Sequence, residues 1–478
     1  MMLMLLNTFR RWMRLRVRPG AKRRQPPRAR LEVTALEDRA VPAAYLFWKG
    51  TVSNDWSVAG NWEDSFGGHF VPGSADVAVL GTIAAGAQAP TVKAGTPTRP
   101  EETCSGISLQ AGFAGKTLTI EGRLRLTGVL LAPGGPANPT EWNQNATITG
   151  PGALAINGPF SWRQGAISVK NLYVHGGGQL AVREDASTLT ADNITIGASA
   201  TGELSAGSMR LSLVDPMNQY LQLGDNTIIS VKPQGLLEFW QTSFSPWQGG
   251  LSGGKRIDNQ GTVSRPVLDD HDLPLYLSTP IVNLSPTSTF RLVEYGSLYI
   301  NDPTGDAYAS LNQEAGLTEL GSKSTLYVAD DVVIRGGDLV VKSGVLFDQT
   351  YLVGNLLLYG GNLVVGDTAM YAIFRVEGNL TLTDGTVKMN VDGANNGFND
   401  EIRVDSILDL RESHATLQVT TDGQAPAAGN FYDILTATQR QGDDFGFFEW
   451  LGFELTGYQH QFMAGTNTYR LTKQAEAG

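Results

Sequence analysis

Between residues 325 and 391 apolar side chains recur on alternate positions, and the alternation breaks at glycine. The stretches VVIRGGDLVV (332–341), LLLYGGNLVV (356–365) and LTLTDGTVKM (380–389) begin 24 residues apart. Read by column, positions 332, 356 and 380 are Val, Leu and Leu. Positions 334, 358 and 382 are Ile, Leu and Leu, positions 339, 363 and 387 are Leu, Leu and Val, and positions 341, 365 and 389 are Val, Val and Met. The columns between them vary freely, as in Arg335, Tyr359 and Thr383, which is the mark of strands with one buried and one solvated face.

The period reaches further back. Val328, Leu352 and Val376 align, followed by the pairs Asp330-Asp331, Gly354-Asn355 and Gly378-Asn379. Each unit is therefore expected to hold three short strands meeting at two-residue corners. Gly, Asn and Asp suit such corners because they accept positive φ at low cost. A Gly-Gly pair between alternating runs also fits a two-residue hairpin, and local sequence does not separate the two. The third strand and the 24-residue spacing favour an all-β parallel β-solenoid, in which each strand stacks on its counterpart one coil away. A propeller-like or β-sandwich arrangement is the alternative. One coil cannot bury enough surface to stand alone, so the array needs several coils and a cap at each end.

Looser copies lie upstream: ATITGPGALAI (146–156), NLYVHGGGQLAV (171–182), NITIGASATGEL (193–204) and FRLVEYGSLYI (290–300). Residues 240–254 and 265–280 break the rhythm and are expected to be loops ejected from the stack, the place where solenoids carry function. The division that follows is a basic leader over 1–43, a Trp-rich cap region over 44–110, solenoid repeats over 111–392 with ejected loops near 240–280, and a C-terminal β cap region over 393–478.

Composition agrees with a turn-rich chain: 56 of 478 residues are glycine and 17% are charged. A single cysteine, Cys104, rules out an internal disulfide and a thiolate metal cluster. The net charge of −11 conceals two signs. Residues 1–39 hold eleven Lys or Arg against three acids, +8, and the rest holds 25 basic against 44 acidic residues, −19. An acidic body does not track phosphates, so no nucleic-acid partner is expected. No run approaches 18 apolar residues, so no spanning helix is expected either.

The leader's apolar start, MMLMLL, precedes its arginines and is short for a secretory core. Beyond it, RLEVTALEDRAVPA (Arg30 to Ala43) resembles the Arg-rich, LEALEDR-like leader of planctomycete-type exported and envelope proteins, with Val33-Thr34 as an extra pair. The resemblance implies export and a secreted or cell-envelope location. At the far end, DEIRVDSILDLRESHATLQVTT and GNFYDILTATQ resemble the closing segment of autotransporter passenger domains and related β-helical exoproteins. That resemblance implies a β-helical body.

Candidate chemistry is sparse. Residues 46–80 set Trp48, Trp56 and Trp62 among Gly, Ser and Asn, and resemble the opening of many exported β-helical surface proteins. These rings are expected either to close the first coil or to offer a sugar-stacking platform, and Trp240 and Trp247 extend the second possibility. Asp269, Asp270, His271 and Asp272 put four potential ligands on one loop, and Asp392, Asn396 and Asp400 partly match a calcium loop that has Arg403 where a bidentate acid would stand. Calcium is the one cofactor these residues suggest; otherwise none is expected. The paired acids Asp330-Asp331 and Asp443-Asp444 are adjacent in sequence and so point apart on a strand, and no nucleophile motif or phosphate loop is present. The expected function is an exported structural or adhesive protein without catalytic activity, its partner a cell-surface or extracellular polymer. The alternatives are a polysaccharide-binding module and, on fold analogy alone, a polysaccharide lyase or hydrolase.

Overall fold

The computed structural model describes residues 44–128, 140–197, 207–212, 220–223, 227–240, 249–266, 275–293, 295–300, 310–342, 348–366, 371–393, 399–411, 413–421, 426–442, 444–451, 458–463 and 465–474. The leader, 1–43, lies outside them. The chain is all-β, and its strands stack almost entirely in parallel into three long sheets.

We call the sheets A, B and C in the order the chain visits them within a coil. Leu275–Leu277, Ser297–Ile300 and the start of Thr325–Ile334 are successive rungs of sheet A. Arg256–Asn259, Ile281–Asn283 and Leu311–Gln313 are rungs of sheet B. Thr262–Arg265, Thr289–Leu292 and Leu317–Leu320 are rungs of sheet C. A rung pairs with the rung a full coil later, which is the parallel solenoid and excludes the hairpin reading of the glycine pairs.

The 24-residue columns are true rungs. Val332 pairs with Leu356 and Leu356 with Leu380; Ile334 pairs with Leu358 and Leu358 with Leu382; Leu339 pairs with Leu363 and Leu363 with Val387. All are buried, and of the alternate residues within these strands only Val333 is buried as well. The third column needs one correction. Leu352 pairs with Val376 but sits beside Leu326, two residues before Val328, because Thr325–Ile334 carries two extra residues between Tyr327 and Asp331, opposite Gly354 of Asp348–Leu358, φ +137°. A Cβ there would lie 2.6 Å from the Val328 carbonyl oxygen, so glycine is what lets the corner close.

Coil length is not constant. Successive sheet C partners are 20 residues apart at Phe160 and Leu180 and 30 apart at Val387 and Leu417. The looser copies occupy different corners: 146–156 turns from sheet A to B, 171–182 from B to C, and 290–300 from C to A. Similar sequence marks a corner without saying which one.

The segments expected as ejected loops also hold rungs: Gly249–Ser252 and Leu275–Leu277 both belong to sheet A, where Leu251, Leu275 and Leu277 are buried. Residues 241–248 and 267–274, between them and sheet C, lie outside the described residues. At the N-terminal end Tyr45–Trp48 already pairs in parallel with Val77–Leu80, so the stack runs through 44–110. At the other end the hairpin of Tyr458–Met463 and Thr468–Lys473 pairs antiparallel with Phe431–Gln441, closing the edge of sheet A.

Candidate functional site

The three N-terminal tryptophans are core. Trp56 and Trp62 are 0% exposed and Trp48 nearly so; Trp62 meets the other two edge-on at 4.7 and 4.9 Å between ring centroids. Trp62 Nε1 donates to the Trp56 carbonyl and Trp48 Nε1 to the Gln88 carbonyl, each at 2.8 Å. Asn61 locks the loop over them: its Oδ1 accepts from the Val52 and Ser53 amides, and its Nδ2 donates to Ser53 Oγ and the Asp55 carbonyl. With every ring face covered, these side chains close the first coils and offer no sugar platform. Trp240 ends the sheet C strand Gly235–Trp240, its side chain outside the described set, and Trp247 lies wholly outside it.

The calcium expectation separates in the same way. Asp269, Asp270, Asp272 and Asn396 lie outside the described residues. Asp400 is fully buried and uses its carboxylate on backbone: Oδ1 accepts from the Ala372 amide at 2.8 Å and Oδ2 from the Asn390 amide at 2.7 Å. Gly366, φ +76°, packs directly against this carboxylate, since a Cβ there would lie 2.1 Å from Oδ1. Asp392 is also buried, and its carbonyl accepts from the Tyr432 hydroxyl at 2.6 Å. Asp400 therefore pins the passage from sheet C back to sheet A, which is a structural use of a carboxylate. Among the described residues no group of three or more His, Cys, Asp or Glu is placed to hold a metal ion.

The outward faces carry a different kind of feature, rows of side chains that pair with the same position, or one two residues along, on the neighbouring coil. On sheet A, Tyr276, Tyr299 and Tyr327 are successive rungs, with ring centroids 4.7 and 3.9 Å apart and the second pair tilted by only 7°. The rung before Tyr276 is Gly250, so the row begins beside a position without a side chain. Burial raises the Tyr276 hydroxyl above its ordinary pKa, with Tyr327 adding to the effect. On sheet C, Glu319 accepts Arg291 from one neighbouring coil and Lys342 from the other, both at 2.9 Å. On sheet B, Asn355 donates to Asp331 at 3.0 Å, one half of an acid pair that falls at a corner. Arg375 bridges to Asp405 at 2.7 Å.

The tyrosine row escaped sequence inspection because its members are spaced unequally and only coil lengths bring them into line. Cys104 is buried, and burial with the nearby Asp76 and Glu102 carboxylates pushes its thiol far above the ordinary range, so it is inert. No helix among the described residues is long and apolar enough to cross a membrane. The sequence matches no protein-family model and no curated protein.

Proposed function

We propose that this chain is an exported structural or adhesive β-solenoid whose outer faces meet a cell-surface or extracellular polymer, without catalytic activity of its own. One observation carries the reading: outward side chains are matched with their neighbours along the stack, as in Tyr276–Tyr299–Tyr327 and Arg291–Glu319–Lys342. Catalysis needs groups of different chemistry converging on one reacting atom, whereas rows of like or complementary groups stiffen a surface and repeat it. The leader's likeness to exported proteins supports the location.

A polysaccharide-binding role is favoured by the same tyrosine row. Its rings are half-buried and stack on each other, so a polymer lying along the row would meet ring edges and hydroxyls at a spacing set by the coils. The test incubates the full chain with acidic and neutral polysaccharides, with and without calcium, and scores retention and new chain ends together. No new ends are expected. Retention that Tyr299→Ala abolishes supports the polymer-binding role, and new chain ends overturn the non-catalytic reading.

A further inference from the structure

On the outer side of sheet B, three successive coils place unlike residues in register. Arg123 and Arg125 stand on one rung, Ala153 and Ala155 on the next, and Asn171 and Tyr173 on the third. The short alanines leave a depression one coil wide between longer side chains, which roof it so that Ala155 is fully buried. Arg123 leans across it, its Cζ 5.5 Å from the centre of the Tyr173 ring. At the corner into sheet C, Asn157 Nδ2 donates to His175 Nδ1 at 3.3 Å, and the His175 ring stands edge-on to Tyr173 with centroids 6.2 Å apart. Glu101 is the acid of the group: it accepts from Arg125 Nη2 at 2.8 Å and lies 3.1 Å from Arg123 Nε.

Two guanidiniums against one carboxylate leave a net positive charge, and the donors outnumber the acceptors. Arg123 Nη2, Arg125 Nε, His175 Nε2 and Asn157 Oδ1 are all buried and without a hydrogen-bond partner, while Arg123 Nε has only its ion pair with Glu101. His175 as a whole is 2% exposed. Because its Nδ1 accepts from Asn157, its ring proton sits on Nε2, so three of these four atoms are donors lacking an acceptor. Each such atom costs on the order of 1–3 kcal/mol when left unmatched, and their grouping around one depression marks a place shaped for an acceptor. Access runs along Arg123 and Arg125, whose side chains are 23% and 30% exposed.

We propose that this depression binds an oxyanion, a carboxylate or sulfate group, held by Arg123, Arg125 and the Nε2–H of His175. The chemistry fits because charge-assisted N–H···O bonds are the strong ones and an oxyanion accepts several at once. The site is independent of the export and adhesive reading, since a free ion and a group on an acidic saccharide would meet the same donors. Burial, with Arg123 and Arg125 adding to it, lowers His175 to about 4, so the ring enters as a neutral donor at pH 7.

The experiment follows the His175 ring by NMR in the full chain, one of only five histidines, assigned by its loss in His175→Gln. Sodium acetate, sodium sulfate, an oligogalacturonate and a neutral oligogalactoside are titrated at pH 7 against matched sodium chloride. The expected result is a saturable His175 shift with the oxyanions and none with the neutral sugar, weakened about tenfold or more in Arg123→Gln. A shift from the oligogalacturonate alone assigns the site to an acidic saccharide; shifts from acetate or sulfate as well assign it to the oxyanion itself. No shift from any anion, or an equal shift in Arg123→Gln, overturns the site. If Arg123→Gln does not fold, the contrast between anions and the neutral sugar in the unaltered chain decides.

Discussion

Asn283 accepts from Asn259 through its Oδ1, 2.8 Å from the donor Nδ2, inside the core of the stack. Both residues are fully buried at the last rung position of sheet B, and the next coil puts Gln313 there. Asn283 Nδ2 passes the chain on to Thr318 Oγ1 at 3.3 Å; Thr318 donates to Gln313 Oε1 at 2.6 Å; and Gln313 Nε2 donates to the Gly336 carbonyl at 2.9 Å. Every member has partners, so the row fixes the turn from sheet B to sheet C without leaving an unpaired amide in the core. Asn283→Ala is expected to cost about 2–3 kcal/mol, because it strands Asn259 and Thr318 in an apolar setting. Asn312→Ala, whose side chain faces outward one coil later, is expected to stay within about 0.5 kcal/mol. Denaturant midpoints for the two variants check the difference.

The glycine that interrupts the alternation does so for contact as much as for conformation. Gly337, Gly361 and Gly385 occupy one corner on successive coils with φ of +74°, +73° and +96°. A Cβ on Gly361 would sit 2.4 Å from the Gly337 carbonyl oxygen, and that same oxygen accepts from the Asn362 amide. Gly361→Ala should therefore lose more than the roughly 1–2 kcal/mol of left-handed backbone strain alone. Gly115, φ +70° with open space around it, supplies the comparison. Equal melting shifts for Gly115→Ala and Gly361→Ala would show that backbone conformation alone demands the glycine.

Leu358 lies between Ile334 and Leu382 on successive rungs and is fully buried, while its neighbour Tyr359 is 45% exposed. Leu358→Ala is expected to cost about 2–5 kcal/mol. Leu358→Asp should prevent folding or cause aggregation, because it places an unpaired charge in the stack. Tyr359→Asp is expected to leave the melting temperature nearly unchanged. A tolerated Leu358→Asp would mean that the rungs are displaced by one residue.

Asp400 joins the segments before and after it by accepting from the Ala372 and Asn390 amides. Asp400→Ala removes both bonds at a buried site and is expected to cost about 2–4 kcal/mol. The difference from the unaltered protein should be the same with added calcium or with a chelator. A loss that appears only when calcium is present would assign the carboxylate to a metal.

The core was legible in sequence wherever the coil length stayed at 24, because columns then fall into line without knowledge of the fold. It was illegible at Val328, where two extra residues between Tyr327 and Asp331 move the register by two. It was also illegible at 249–252 and 275–277, where short apolar runs between polar stretches read as loop until their rung partners are known. The tryptophans show a related ambiguity: a ring that closes a coil and a ring that stacks on sugar have the same local sequence, and only burial separates them. The tyrosine row and the Arg123–His175 depression arise between coils of unequal length, so spacing along the chain carries no trace of either.

His175 gives the fold a defined response to acid. Its ordinary pKa of 6.5 falls to about 4 in the folded chain through burial first and then the positive charges of Arg123 and Arg125; Tyr173 and Asn157 contact the ring, and Glu101 pairs with both arginines. The unfolded chain takes up this proton as pH drops below about 6.5 while the folded chain does not, so acid favours unfolding. The stabilisation is fully present above about 6.5 and is lost as pH falls toward 4, a change of up to about 3 kcal/mol. Denaturant midpoints measured without added oxyanion, from about pH 7 to about pH 4.5, should drop more steeply for the unaltered chain than for His175→Gln. Parallel slopes would mean that His175 titrates in the folded protein as freely as in the unfolded one. Adding the anion that fills the depression should flatten the unaltered chain's slope, since a negative charge beside Nε2 brings the ring back toward its ordinary pKa.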